Sequence, residues 1–314
     1  MSKVVIIGGA GHVGTYLVPR LVEAGFDVTN VTRGQARPYT PHAAWARVTQ
    51  VALDRSMEEA KGQFGAAIAA LHPDIVIDMI CFTPESNAQL AKALAGKVSH
   101  FLHIGTIWVH GPSETVPTRE SDPRRPFGAY GVNKSLIEDD LLARSRFGTL
   151  PATVIRPGHI VGPGWAPLNP AGNFNPQVFR DIQAGKPLVL PNFGLEMVHH
   201  VHADDVAQAV MGAITHWSCA VGEAFNAVSP AAVTLRHYAE AMFRFWGHAP
   251  KVSFLPFEQW RKAVSTEDAD ATLEHISRSP CHSHEKGARL IGYAPRYSSL
   301  GAVQEAMERL PQDG

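Results

Sequence analysis

The stretch "VVIIGGAGHVGTYL", residues 4–17, constrains this chain most. An apolar run is followed by the glycines Gly8, Gly11 and Gly14 and passes at once into a segment of helical period. That spacing gives a tight strand-to-helix turn, lets a pyrophosphate approach the free N–H groups of the helix start, and packs helix closely on strand. Its position, after a strand and before a helix, makes it a dinucleotide-binding fingerprint, with His12 and Val13 counted beside the glycines.

Further Val/Ile-rich runs, "DVTNVTR", "DIVIDMI", "HFLHIGT" and "ATVIRPG", alternate with helical segments such as "TYLVPRLVEAG" and "NAQLAKALAG", each closing on a glycine. Alternation of this kind predicts a doubly wound parallel α/β sheet. Pro19 sits inside the first helical segment, where it is expected to kink it. Beyond Gly162 the sequence turns irregular, "GPGWAPLNPAGNFNP", before two late helical segments, "LRHYAEAMFRFWG" and "LGAVQEAMERL". The expected organisation is a nucleotide-binding domain over 1–165, rejoined by 196–228, with a smaller substrate-binding cap from 166–195 and 229–314.

A formal net charge of −1 and no Lys/Arg run disfavour a nucleic-acid partner. The N-terminal apolar run is too short for a leader or a membrane span and reads as a buried strand. Cys81, Cys219 and Cys281 cannot all pair with one another and show no CxxC spacing, which suits a reducing cytoplasm. "CHSHE", from Cys281, lacks a second ligand pair at structural-zinc spacing, so no metal is expected.

At the end of the second strand, where an acid would accept from a ribose 2′-hydroxyl, stand Thr32 and Arg33. A missing acid beside a guanidinium favours NADP over NAD, because arginine offers paired donors to a phosphate. Asp54 either accepts from the adenine amino group or caps the next helix. In "AYGVNKSLIEDDLL" the four-residue separation places Tyr130 and Lys134 on one helical face. A neighbouring ammonium favours the phenolate of a tyrosine whose ordinary pKa is about 10, so the couple makes sense as acid and base.

Together, "GGAGHVG", "FLHIGTIWVHG", "YGVNK", "VIRPGHIVGPG", "HVHADDVAQAV" and "GARLIGYAPRYSSLGAVQEAM" resemble the extended branch of the short-chain dehydrogenase/reductase superfamily, that of nucleotide-sugar epimerases and dehydratases. The resemblance implies an NAD(P)-dependent enzyme acting on a sugar-like small molecule. Tyr130 would exchange the proton, Lys134 would hold the nicotinamide ribose and depress the tyrosine, and Thr106 would hydrogen-bond the substrate oxygen. A homodimer through helices flanking the sheet is expected on the same ground.

Several positions depart from that pattern. Ile7 replaces a threonine before the glycine loop, and Ile107 and Trp108 stand where 4,6-dehydratases carry an Asp-Glu pair, which disfavours dehydration. His159 replaces an asparagine, and "MVHHVHADDV" lacks the arginine that neutralises a substrate diphosphate. Trp108, His159 and His200 are therefore the substrate-contact candidates, and Asp205 is expected to cap the helix it opens. An epimerase, an NADPH-linked reductase of a non-nucleotide carbonyl compound, and a non-catalytic nucleotide sensor or nucleic-acid-associated protein remain in competition.

Overall fold

The structure, a computed structural model, describes residues 1–309. Seven parallel strands form one sheet: β1 (Lys3–Ile7), β2 (Asp27–Thr32), β3 (Thr49–Ala52), β4 (Ile75–Asp78), β5 (His100–Ile104), β6 (Ala152–Pro157) and a last strand, Ala224–Ala227. From one edge to the other they run Ala224–Ala227, β6, β5, β4, β1, β2, β3. The order reverses between β1 and β4, which opens a crevice at their carboxyl ends.

Side-chain alternation explains why these strands read as unbroken apolar runs. Val4 and Ile6 enter a core shared with α1 (His12–Glu23) and the helix Ala203–Thr215, whereas Val5 and Ile7 face the other way. That second core is closed by α3 (Phe64–Ala69), α4 (Pro84–Leu94) and α5 (Gly128–Arg146), the short α2 (Arg55–Ala60) lying just ahead of α3. With both faces covered, the central strands are dominated by apolar residues, and polar ones such as Asn30 and His103 occur buried among them.

The helix α1 runs unbroken through Pro19, which is buried. Gly25 (φ +86°) and Gly96 (φ +67°), at the ends of α1 and α4, adopt the left-handed conformation open to glycine.

A third core gathers Leu168, Phe179, Leu190, Tyr238, Phe243 and Trp260 from the later segments. The irregular stretch after Gly162 is held by asparagines: Asn169 Nδ2 donates to Asn173 Oδ1 (2.6 Å), Asn173 Nδ2 to Thr272 Oγ1 (3.0 Å) and Asn175 Nδ2 to Asp268 Oδ2 (2.8 Å). Those side chains replace the backbone pairing that such a loop lacks, and they fasten it to the helix Thr266–Ile276.

Asp205 differs from the expectation. The cap of Ala203–Thr215 is His202, whose Nδ1 accepts from the Asp204 N–H. Asp205, released from capping, accepts from the backbone N–H groups of Arg296 (2.9 Å) and Tyr297 (3.2 Å) and fastens the C-terminal segment. The "CHSHE" stretch lies against the Ser113–Thr118 loop, with Thr118 and His282 forming a bridge. Among the described residues no cluster of three or more His, Cys, Asp or Glu could hold a metal, and no helix is long and apolar enough to cross a membrane.

Candidate active site

The glycine loop is fixed by its neighbours. Gly8 (φ +88°) donates to the Val31 carbonyl (2.9 Å), and the Gly9 N–H to Asn30 Oδ1 (3.0 Å). At Gly14 a Cβ atom would stand 1.9 Å from the Gly9 carbonyl oxygen, so helix and loop touch at a distance open only to glycine. No side chain caps α1 at Gly11, which leaves its first N–H groups facing the crevice. His12 stacks on Trp165 (3.7 Å between ring centres) and its Nε2 pairs with the Tyr39 hydroxyl at 3.0 Å. Burial lowers its pKa to about 4, so the imidazole is neutral.

Beyond the loop lies a cavity of about 430 Å³ lined by Gly8, Gly11, Thr32, Arg33 and Asp54. Thr32 Oγ1 accepts from the Gly34 N–H (3.0 Å), and Arg33 makes no ion pair among the described residues. Asp54 caps α2 by accepting from the Met57 N–H at 3.0 Å while still lining this cavity. On the other side, a space of about 240 Å³ lined by Gly11, His12 and Val13 continues into one of about 600 Å³ through shared walls at Met79, Ile104 and Ile160.

This larger cavity brings together Thr106, Trp108, Tyr130, Lys134 and His159. Thr106 lies two residues beyond β5 and caps the short turn Ile107–His110, its Oγ1 accepting from the Trp108 N–H (3.2 Å). Tyr130 stands in the first turn of α5 and Lys134 one turn on. Burial pushes the Tyr130 phenol above its ordinary pKa, and a hydrogen bond with Thr106 opposes that shift. Lys134 is buried; its Nζ donates to the carbonyls of Cys81 (2.7 Å) and Ile104 (2.8 Å) and stands 3.5 Å from His103 Nε2. Desolvation brings its pKa down to about 8, partly opposed by Cys81 and Asp78. In this form of the protein the ammonium is engaged with main-chain carbonyls, and the phenol has Thr106, not Lys134, as the group that lowers its pKa.

His200 is elsewhere. It is fully buried, with Nδ1 2.8 Å from Ser299 Oγ and Nε2 3.3 Å from the Leu168 carbonyl, and it does not line the cavity. The cavity is lined by Glu274 and His275 as well, which sequence reasoning missed. Both lie on a helix, "TEDADATLEHI", whose pattern reads as an ordinary surface helix and carries no motif.

A model of the NAD dependent epimerase/dehydratase family matches residues 4–227. The chain belongs to that family. Its relatives include the 2'-dehydrokanamycin reductase of Streptomyces kanamyceticus, 29% identical over 66% of this chain, a match that takes in little more than half (56%) of that protein. The 41 kDa chloroplast stem-loop binding protein b of Arabidopsis thaliana is 26% identical over 97% of this chain and 78% of its own. Among solved structures, the UDP-glucose 4-epimerase of Thermotoga maritima superposes with a TM-score of 0.73 at 19% identity, covering 98% of this chain and 97% of that one, and so shares the fold. The family is one of NAD-dependent epimerases and dehydratases, and its relatives here include a reductase.

Proposed function

We propose that this chain moves hydride to or from a carbon bearing a hydroxyl or carbonyl on a sugar-like substrate held in the 600 Å³ cavity. The observation that carries this reading is that Thr106, Tyr130 and Lys134 line one cavity, the lysine one helical turn from the tyrosine, where the space beside the glycine loop opens into it. The residues present fit a dinucleotide, because Gly8 and Gly14 let strand, turn and helix close tightly while Gly11 leaves open space beside the uncapped start of α1. When bound, NAD(P) supplies the hydride acceptor or donor.

Tyr130 takes the substrate hydroxyl proton in the oxidising direction and returns it to the carbonyl oxygen in the reducing one. Thr106, able to donate and accept at once, holds that oxygen beside the phenol. Lys134 supplies positive charge that lowers the cost of the phenolate once its donors turn from the Cys81 and Ile104 carbonyls. Thr32 and Arg33 at the adenosine end favour NADP, with NAD as the second choice.

Of the two chemistries, reduction of a non-nucleotide carbonyl is favoured by one observation: among the described residues the only cation lining the cavity is Lys134, whose donors go to main-chain carbonyls, so no side chain there is placed to pair with a diphosphate. An epimerase is the second reading, supported by the family description. Residues 166–195 and 229–309 serve as the cap, except that Ile291 and Tyr293 pack into the core of the sheet domain, and a cytoplasmic homodimer completes the proposal. Replacing Tyr130 with Phe tests it: turnover of carbonyl substrates is expected to disappear with dinucleotide affinity within about twofold. Undiminished turnover refutes Tyr130 as the acid/base.

A further inference from the structure

The part of the cavity wall formed by Glu274 and His275 has a one-sided hydrogen-bonding character. The Nδ1 of His275 lies 2.6 Å from the Ala271 carbonyl, which can only accept; Nδ1 therefore carries the proton and Nε2 is a bare acceptor. Burial holds this imidazole below its ordinary pKa, so the acceptor persists at neutral pH. Nε2 makes no hydrogen bond among the described residues, and the ring lines the cavity between Trp108, His159 and Phe174. Beside it Glu274 adds a carboxylate, which accepts only.

The nearby cation is withdrawn. The Arg278 guanidinium lies 3.7 Å from the Trp108 ring centre and 3.9 Å from that of Phe127, donates to the Glu274 and Phe127 carbonyls, and is not part of the cavity lining. It stands 3.4 Å from one Glu274 oxygen, which leaves the other oxygen for a ligand.

We propose that this wall selects a donor-rich ligand without a diphosphate, a polyol or amino-polyol, with His275 Nε2 accepting from a hydroxyl and Glu274 accepting from a hydroxyl or ammonium. Phosphate oxygens are acceptors and carry negative charge; two acceptors, one of them anionic, repel them. The inference rests on reading the cavity as the substrate site.

The test is ligand-observed saturation-transfer NMR on the dinucleotide-loaded full chain, with D-glucosamine, D-glucose and UDP as probes. D-glucosamine should bind most tightly, and Glu274→Gln, nearly isosteric, should weaken it about tenfold while changing D-glucose less. His275→Phe should weaken both hexoses about fivefold or more, and His275→Gln, which keeps an acceptor, should restore most of the loss. UDP should not compete. Competition by UDP, hexose binding that His275→Phe leaves intact, or no saturable hexose binding at all overturns the proposal. Because binding and not turnover is read, absent hydride transfer with this pattern intact would count against the catalytic reading alone.

Discussion

The Lys134 ammonium stands 5.9 Å from the centre of the Tyr130 ring, yet its short hydrogen bonds go to the carbonyls of Cys81 and Ile104. Lysine and tyrosine are neighbours by helical geometry, and the partners of the lysine come from two other strand ends. A charge so deeply placed is lost early. With a pKa of about 8, Lys134 is an ammonium below that pH and increasingly an amine above it. Dinucleotide affinity measured by calorimetry from pH 6.5 to 9.5 should therefore be steady to about pH 8 and then decline, and Lys134→Met should be weak and flat throughout. A wild-type affinity unchanged to pH 9.5 would show that the ammonium does not hold the cofactor.

Cofactor choice depends on two adjacent residues. Arg33→Ala should weaken NADP binding at least tenfold and NAD binding less than twofold, since only the 2′-phosphate gains from the guanidinium. Thr32→Asp should reverse the preference. Fluorescence titration of both dinucleotides against each variant decides it, and equal losses for the two would refute a 2′-phosphate contact.

Gly14 and Gly11 separate packing from binding. An alanine at 14 would drive its Cβ against the Gly9 carbonyl, costing about 3 kcal/mol in thermal unfolding of the dinucleotide-free protein. At 11 the nearest atom is 3.5 Å away, so Gly11→Ala should keep its stability and lose dinucleotide affinity. Matching stability losses in both variants would contradict this division.

Acid should unfold the protein through its histidines. Burial holds His100, His110, His199 and His202 at about 4 and His200 at about 3, against about 6.5 in an unfolded chain. Each such ring favours the folded state above pH 6.5, and that contribution is lost as pH falls toward 4, at about 1.4 kcal/mol per pH unit per group. Urea midpoints at pH 7, 6 and 5 should drop steeply; a flat series would mean that these rings are protonated without unfolding.

The parts of this molecule that sequence reveals are those set by near neighbours. Val4 to Ile7 read as a buried strand because both sheet faces are covered, and Gly8 to Gly14 as a phosphate turn because strand, turn and helix are consecutive. Tyr130 and Lys134 follow from helical spacing. His275 does not, since it reaches the cavity on a helix held by Asn173 and Asn175 from a loop about a hundred residues earlier. His200 misleads for the same reason: its partners Leu168 and Ser299 are distant in sequence, and nothing local distinguishes a buried imidazole from one that meets a ligand.

The fastening of Asp205 to Arg296 and Tyr297, and of His200 to Ser299, has a bearing on how the protein is made. On the ribosome the strands β1 to β6 emerge long before residues 266–299, so the dinucleotide cradle can form while part of the cavity wall is still untranslated. The part of the cavity that Glu274 and His275 line is thus the last to be made, and it is fixed in place only when the segment that Asp205 and His200 fasten has followed it out.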